Sequence, residues 1–272
     1  MRGIRGALVH VLLIVLCVVS LYPLWFMLSV GVMTSRQYAL DPTGIPLHPT
    51  VGNVVSVLTK WPLLTWSRNS IVATVVSSVV ATVIAALASF WIVYGRGRRR
   101  SLLLHTNVAL MGVPAVALLV PMYAFMVQVH LINQLPSAII FYCGVLLPFS
   151  VFFLVNFFRE IPYEIIEAAR VDGASPHRIL VNVIAPMSGA STATLLVVNA
   201  IWVWNELLIA LVFLENESAR TFMAGLGLYE GRYLTNQPLL MAAAFLAVLP
   251  LGVLYVFGQR FFVRGLTAGI GK

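Results

Sequence analysis

The sequence predicts an all-α integral membrane protein with six transmembrane helices. Three observations carry this fold class. Hydrophobic residues make up 60% of the chain and charged residues 10%, whereas about a quarter of a soluble domain is charged. Six apolar runs, near 7–32, 69–94, 102–129, 136–158, 188–213 and 238–258, reach the roughly twenty residues needed to cross a hydrocarbon core. Between the fourth and fifth runs stands a charged island, Arg159, Glu160, Glu164, Glu167, Arg170, Asp172 and Arg178, which has to protrude from the bilayer. Residues 1–272 then read as one membrane domain with a polar loop at 159–187 and a tail at 259–272.

The first run begins with Arg2 and Arg5, as a signal peptide would. Its apolar stretch continues to about Val32 with no small-x-small cleavage site after a short core, so it reads as an uncleaved first span. Pro23 inside it predicts a kink. The following polar segment holds Pro42, Gly44, Pro46 and Pro49, which predict an extended first half, then Val54, Val55, Val57 and Leu58, which predict a short helix at the membrane surface. It reads equally as a plain connector or as a contact for an external partner.

The second run starts at Asn69-Ser70 and is rich in Ala, Ser and Val, small residues that let helices approach closely in lipid. The third contains Pro114 and Pro121. Each removes a backbone bond, and the freed carbonyls need protein or water, so this span is expected to line the interior or a pathway, with Tyr123 as a candidate path residue. A short turn around His130–Leu135 makes a hairpin with the fourth run, which contains Pro148.

The fifth run carries Asn199, Trp202, Trp204, Asn205 and Glu206. Glu206 is the one acid placed inside a span, and a carboxylate there should face protein or a watery cavity. Trp202 and Glu206 are four apart, hence on one helical face. A ring that stacks on apolar sugar faces, beside amide and carboxylate groups that bond hydroxyls, makes a sensible sugar site. The alternative is an inter-subunit packing element. The Glu215–Gln237 segment is glycine-rich but lacks the Lys-Ser/Thr of a phosphate-binding loop.

Lys and Arg set the orientation. With the N-terminus inside, the inner segments hold Arg2, Arg5, Arg96, Arg98, Arg99, Arg100, Arg159, Arg170, Arg178, Arg260, Arg264 and Lys272, and the outer ones only Arg36, Lys60, Arg68, Arg220 and Arg232. The positive-inside rule places both termini and the charged loop in the cytoplasm of a multi-pass cell-membrane protein. The net charge of +8 is this topological signal plus attraction to anionic lipid. The Arg96–Arg100 cluster is too short, and too close to two spans, for a nucleic-acid reading. Cys17 and Cys143 lie inside spans, have no metal-ligand spacing, and read as small apolar fillers.

The charged island is itself built to fold. Pro162 suits a first helical turn, Glu164 and Glu167 suit the positive end of the helix dipole, and Gly173 suits a left-handed cap. Ser175 reads as a new N-cap with Pro176 at the first helical position. Ile179, Leu180, Val183 and Ile184 then share a face as an apolar ridge, and Pro186 is expected to end this helix. The outcome is a short helical docking knob.

Glu167-Ala168-Ala169, Asp172-Gly173-Ala174 and a proline at 186, thirteen residues after Gly173, resemble the EAA loop of binding-protein-dependent ABC importer permeases. In that family the loop is a coupling helix seated in a cleft of the cytoplasmic ATPase. The resemblance therefore assigns ATPase coupling to Glu167, Ala168, Ala169, Asp172, Gly173, Ala174, Ser175, Leu180, Ile184 and Pro186. The family usually has Phe at the position of Leu180 and Leu at that of Ala185, so this ridge is smaller. The order Pro114, Pro121, Asn133, Pro148, Phe157-Phe158, Ile161-Pro162 and the Trp-Asn-Glu-Leu string also look like the sugar-importing branch. The tail, Gln259, Arg260, Gly265, Leu266 and Thr267 among its residues, is similar to the maltose-type subunit whose end reaches the ATPase dimer, although Arg264 stands where a small residue is common.

The resemblance covers nearly the whole chain and implies a half-permease of a type I ATP-driven carbohydrate importer. Its implied partners are a second, homologous permease, two ATP-binding subunits and an extracytoplasmic solute-binding protein, with membrane lipid around it. ATP and Mg would sit on the ATPase subunits, and this chain would bind no cofactor or metal and catalyse nothing. No His-Glu-x-x-His, Gly-x-Ser-x-Gly or paired intramembrane carboxylates argue for an enzyme. The rival from another class is an ion-coupled secondary transporter, which usually needs several buried ionisable groups or matched broken helices. No Lys or Arg falls in the predicted membrane core, a hint against a strongly anionic substrate.

Overall fold

A computed structural model describes residues 2–42, 45–95, 97, 99–232 and 236–268. Helices follow in the order α1 (Arg2–Gly31), α2 (Ser35–Leu40), α3 (Gly52–Lys60), α4 (Leu63–Tyr94) and α5 (Arg99–Met111). A 3-10 turn (Ala115–Leu118) leads into α6 (Leu119–Gln128), then α7 (Leu135–Glu160), α8 (Tyr163–Val171) and α9 (Pro176–Ile179). A π turn (Leu180–Ile184) joins α10 (Ala185–Met187), followed by α11 (Gly189–Asn205), α12 (Leu208–Phe213), α13 (Phe222–Arg232) and α14 (Gln237–Ala268). The chain groups into two compact units, Met1–Leu64 with Gly225–Pro250, and Thr65–Ala224 with Leu251–Lys272.

Length and composition let Leu8–Gly31, Leu63–Tyr94 and Leu135–Glu160 cross a membrane as single helices. The third predicted span is not one such helix. It is α5 and α6, bent by 95°. Pro114 offers no N–H and disfavours helical geometry at the residue before it. Gly112 and Val113 close the preceding turn with bonds to Ala109 O and Leu110 O, both 3.1 Å. Pro121, by contrast, falls in the first turn of α6 and breaks nothing. The fifth predicted span is also interrupted. It runs as α11 to Asn205, turns at Glu206-Leu207, and resumes as α12.

In the first unit, α1 is apolar and largely exposed on its own surface, apart from its end around Val30. Asn53 fastens that end, donating from Nδ2 to Gly31 O (2.9 Å) and Met33 O (2.7 Å). Two helices were missed in sequence. Thr34 caps α2 by accepting from Gln37 N at 3.1 Å, ahead of the prolines that suggested extension. Helix α13 forms despite Gly225, Gly227 and Gly231. The predicted short helix is α3, with Val57 buried.

Gly31 is where α1 meets α14, since a Cβ there would stand 3.1 Å from Ala242 Cα and N. Gly31→Val is therefore expected to overpack this crossing and cost ~1–3 kcal/mol, lowering the melting temperature of the detergent-solubilised protein relative to Gly31→Ala.

In the second unit α7 is the central helix, packing against α5, α11 and α12. Asn107 of α5 donates to Pro148 O at 2.9 Å, and Ser89 of α4 donates to Val151 O at 3.1 Å. The buried small residues of α4, including Ala73, Ser77, Ala81, Ala85 and Ser89, provide the close packing their sizes predict, and Cys143 Sγ lies 3.7 Å from Ser77 O. The α6–α7 turn uses left-handed residues His130 (φ 56°) and Asn133 (φ 63°). Asn133 Oδ1 also accepts from Asn216 N at 2.8 Å.

Candidate functional site

The charged island folds as two short helices whose ends follow from local chemistry. Pro162 takes the N-cap position of α8, one residue before the expected first turn, and Glu164 lies in that turn. The helix stops at Gly173, which has φ +77°. Gly173 N donates to Arg170 O (3.0 Å) and Ala174 N to Ala169 O (2.9 Å), the paired bonds of a Schellman ending. Ser175 then caps α9, its Oγ accepting from Arg178 N at 3.4 Å.

The second helix does not end at Pro186. It continues to Met187 and bends by 82° into α11 at Ser188. The π turn before it, in which Ala185 N bonds Leu180 O, accommodates a ring that would clash with the carbonyl four residues back in a plain α-helix. Ser188 Oγ donates back to Ile184 O at 2.7 Å, a pattern that bends helices.

The apolar ridge turns inward. Ile179, Leu180 and Ile184 are buried with Ile166 against Leu154, Val155 and Phe158 of α7, so Leu180 and Ile184 anchor the loop. Glu167, Ala168, Asp172, Gly173, Ser175 and Pro186 are exposed, and Ala169 and Ala174 half-buried. The periodicity of the ridge was legible, but a period says that a face is buried and not what buries it. Val171, the last residue of α8 and on a different helix from the ridge, is 87% exposed.

Arg170 was also missed as a contact. Its guanidinium donates to Tyr94 O, the end of α4, at 3.0 Å and to Tyr163 Oη at 2.8 Å, and it stands 5.6 Å from the Tyr163 ring centre. Tyr163 stacks on Tyr94 at 6.5 Å, and Tyr94 Oη donates to Phe158 O at the end of α7. Arg170 thus ties α8 to the end of α4, and Tyr94 ties that end to α7. A cation on the last carbonyl of a helix also matches the helix dipole.

The polar residues of the fifth span do not converge as one face. Glu206 is the extended C-cap of α11, which breaks the four-residue relation to Trp202. Its carboxylate accepts from Ile209 N (2.9 Å), Ala210 N (3.1 Å) and Tyr142 Oη (3.1 Å), so it caps α12. Tyr142 reconnects the pair, with Trp202 edge-on to its ring at 6.1 Å. Asn199 is buried and donates to Ser150 Oγ at 3.0 Å; Asn205 is exposed and donates to Ile201 O at 2.8 Å. Tyr123 lies elsewhere, beside Glu215, in a cavity of about 540 Å³ with Leu119, Val120, Leu211 and Val212.

Because three donors converge on Glu206, Glu206→Ala is expected to lose ~1–3 kcal/mol of stability through unpaired buried groups. Glu206→Gln, which keeps an accepting oxygen, should lose less. Thermal unfolding of the purified variants checks the order. A purely substrate-directed Glu206 would leave the melting temperature unchanged.

Gln259, Arg260, Gly265, Leu266 and Thr267 fall within the last turns of α14, and their side chains lie outside the described ones. Among the described residues no group of three His, Cys, Asp or Glu has a metal-binding arrangement.

Residues 78–268 match the family described as the binding-protein-dependent transport system inner membrane component. The sulfoquinovosyl glycerol transport system permease protein SmoH of Agrobacterium fabrum is 30% identical over 94% of this chain and 90% of its own. The melibiose/raffinose/stachyose import permease protein MelC of Bacillus subtilis is 25% identical over 100% of both chains. In fold, the chain is similar to a chain of the MetNI methionine ABC transporter in inward-facing form, with TM-score 0.56, 22% identity, and 75% of this chain and 95% of that one covered.

Proposed function

Since the chain belongs to the binding-protein-dependent transport system inner membrane component family, we propose that it forms, with a second homologous permease, the path of an ATP-driven importer for a sugar or sugar-like solute. As a permease it is not an enzyme; ATP hydrolysis belongs to separate subunits, and the family works with an ATPase and a solute-binding protein. Two ATPase subunits, carrying ATP and Mg, would engage residues 159–187 from the cytoplasm, where both termini also lie. The tail from Gln259 to Thr267 would reach the same subunits.

The observation that carries this reading is the division of the loop into two faces. Ile166, Ile179 and Ile184 are fully or almost fully buried in the core, while Glu167, Val171, Asp172 and Gly173 are exposed. A knob with a rigid stem and an open acidic, small-residue tip transmits a push from a partner without yielding. Closure of the ATPases would move α8, Arg170 would carry that motion to α4, and Tyr94 would pass it to α7.

The sugar assignment is supported by the substrates for which SmoH and MelC are named. Exposed Asn205 and partly exposed Trp202 offer an amide and a ring, and Tyr123 with Glu215 offers a hydroxyl and a carboxylate. Glu206, through Tyr142, holds the ring of Trp202. The experiment is ATP hydrolysis by the reconstituted complex, with and without binding protein and candidate sugars. Stimulation requiring both supports the importer. Uptake that follows an ion gradient with no ATPase bound overturns it.

A further inference from the structure

Two adjoining cavities open at the end of the second unit that carries the loop. One, about 590 Å³, is lined by Tyr94, Gly95, Arg100, Ser101 and Tyr163 among others. The other, about 320 Å³, is lined by Ile92, Val93, Arg100, Ser101, Leu104 and Arg159. Val93, Arg100 and Ser101 belong to both.

The chemistry of this place is specific. Arg100 comes from the first turn of α5 and Arg159 from the last turn of α7, so two separate helices aim cations at one hollow. Neither guanidinium has an ion pair or hydrogen bond among the described residues. The acids of this end, Glu160, Glu164, Glu167 and Asp172, line neither cavity. The rest of the smaller cavity's lining is apolar, from Ile92, Val93 and Leu104. The depth is also defined, because Tyr94 and Glu160 are the last residues of the two long apolar helices of this unit. Hydrocarbon gives way to headgroups at that level.

A guanidinium pair, a serine hydroxyl and an apolar wall at a membrane boundary fit a phosphate that carries acyl chains. Arginine bonds phosphate oxygens in pairs, and basic pockets between spans hold anionic headgroups. We propose that Arg100 and Arg159 bind the phosphate of an anionic phospholipid, with its glycerol and upper acyl chain against Ile92 and Leu104. The bound headgroup would rest beside Tyr163, the first residue of α8, and brace the base of the loop. This inference needs the chain to lie in a membrane. It does not need the loop to dock an ATPase, so either can fail without the other.

The test is thermal unfolding of the purified full-length permease, in its complex, titrated with phosphatidylglycerol, phosphatidylcholine or soluble glycerol phosphate. Arg100→Gln, Arg159→Gln, the double variant and the off-site control Arg36→Gln are compared. Phosphatidylglycerol should stabilise the wild type more than phosphatidylcholine, and its apparent affinity should fall about fivefold for each arginine removed, with Arg36→Gln unchanged. If the double variant does not fold, the single variants carry the same comparison. Equal stabilisation by glycerol phosphate would mean a phosphate taken from solution and would overturn the lipid assignment. Unchanged titrations in the Arg100 and Arg159 variants, or an equal loss in Arg36→Gln, would overturn the site.

Discussion

Glu167→Lys is expected to abolish substrate-driven stimulation of ATP hydrolysis and to cut uptake about 30-fold or more, since a wrong charge in a docking interface costs ~2 kcal/mol or more. Glu167 is exposed and has no hydrogen bond or ion pair among the described residues. Its reversal should therefore leave the fold and melting temperature nearly unchanged. Gly173 makes the informative contrast. A side chain there meets nothing within 4 Å, but the backbone has φ +77°, so Gly173→Val strains the loop by ~1–2 kcal/mol before any partner is met. The two variants should both uncouple, one with its stability intact and one without. Uptake, hydrolysis and melting temperature of the same reconstituted preparations separate these cases.

Arg170→Ala is the second large effect. It removes charged hydrogen bonds to Tyr94 O and Tyr163 Oη, each worth ~1.5–3 kcal/mol when well formed. Arg170 is half-buried, so solvent screening puts the total toward the lower end, at ~1–3 kcal/mol. The predicted phenotype is a loop that still binds ATPase but transmits poorly: the complex assembles, basal hydrolysis persists, and uptake per ATP falls. Arg170→Lys should restore little, because an ammonium does not reproduce the planar fork that spans two acceptors. Tyr163→Phe removes one acceptor while keeping the ring, and should fall between the two. Equal uptake per ATP across the series would remove Arg170 from the transmission path.

The features legible in sequence are those decided within a few residues. Gly173 and Ser175 announce their caps because left-handed backbone and an N-terminal acceptor are local demands. Six apolar stretches are visible because the hydrocarbon thickness is a length. The break at Glu206 was not legible, since the hydropathy of 188–213 runs through it. What turns the chain is a carboxylate folding back onto Ile209 and Ala210 N–H groups. The grip of Arg170 on Tyr94 joins residues 76 apart, and only the fold brings them together. The inward turn of Leu180 and Ile184 was hidden for a related reason. A buried ridge and a docking ridge have the same period, and the packing of α7 decides between them.

The central claim is that residues 163–173 are the surface an ATPase grips. Cross-linking tests it most directly. Val171→Cys, at the most exposed apolar position of α8, is compared with Ile166→Cys, fully buried on the same helix, in complexes co-expressed with the ATPase subunit and treated with a short thiol cross-linker. A permease–ATPase adduct from Val171→Cys and none from Ile166→Cys is the predicted result, and ATP should change the yield. No adduct from Val171→Cys in an assembled, hydrolysing complex would contradict the account.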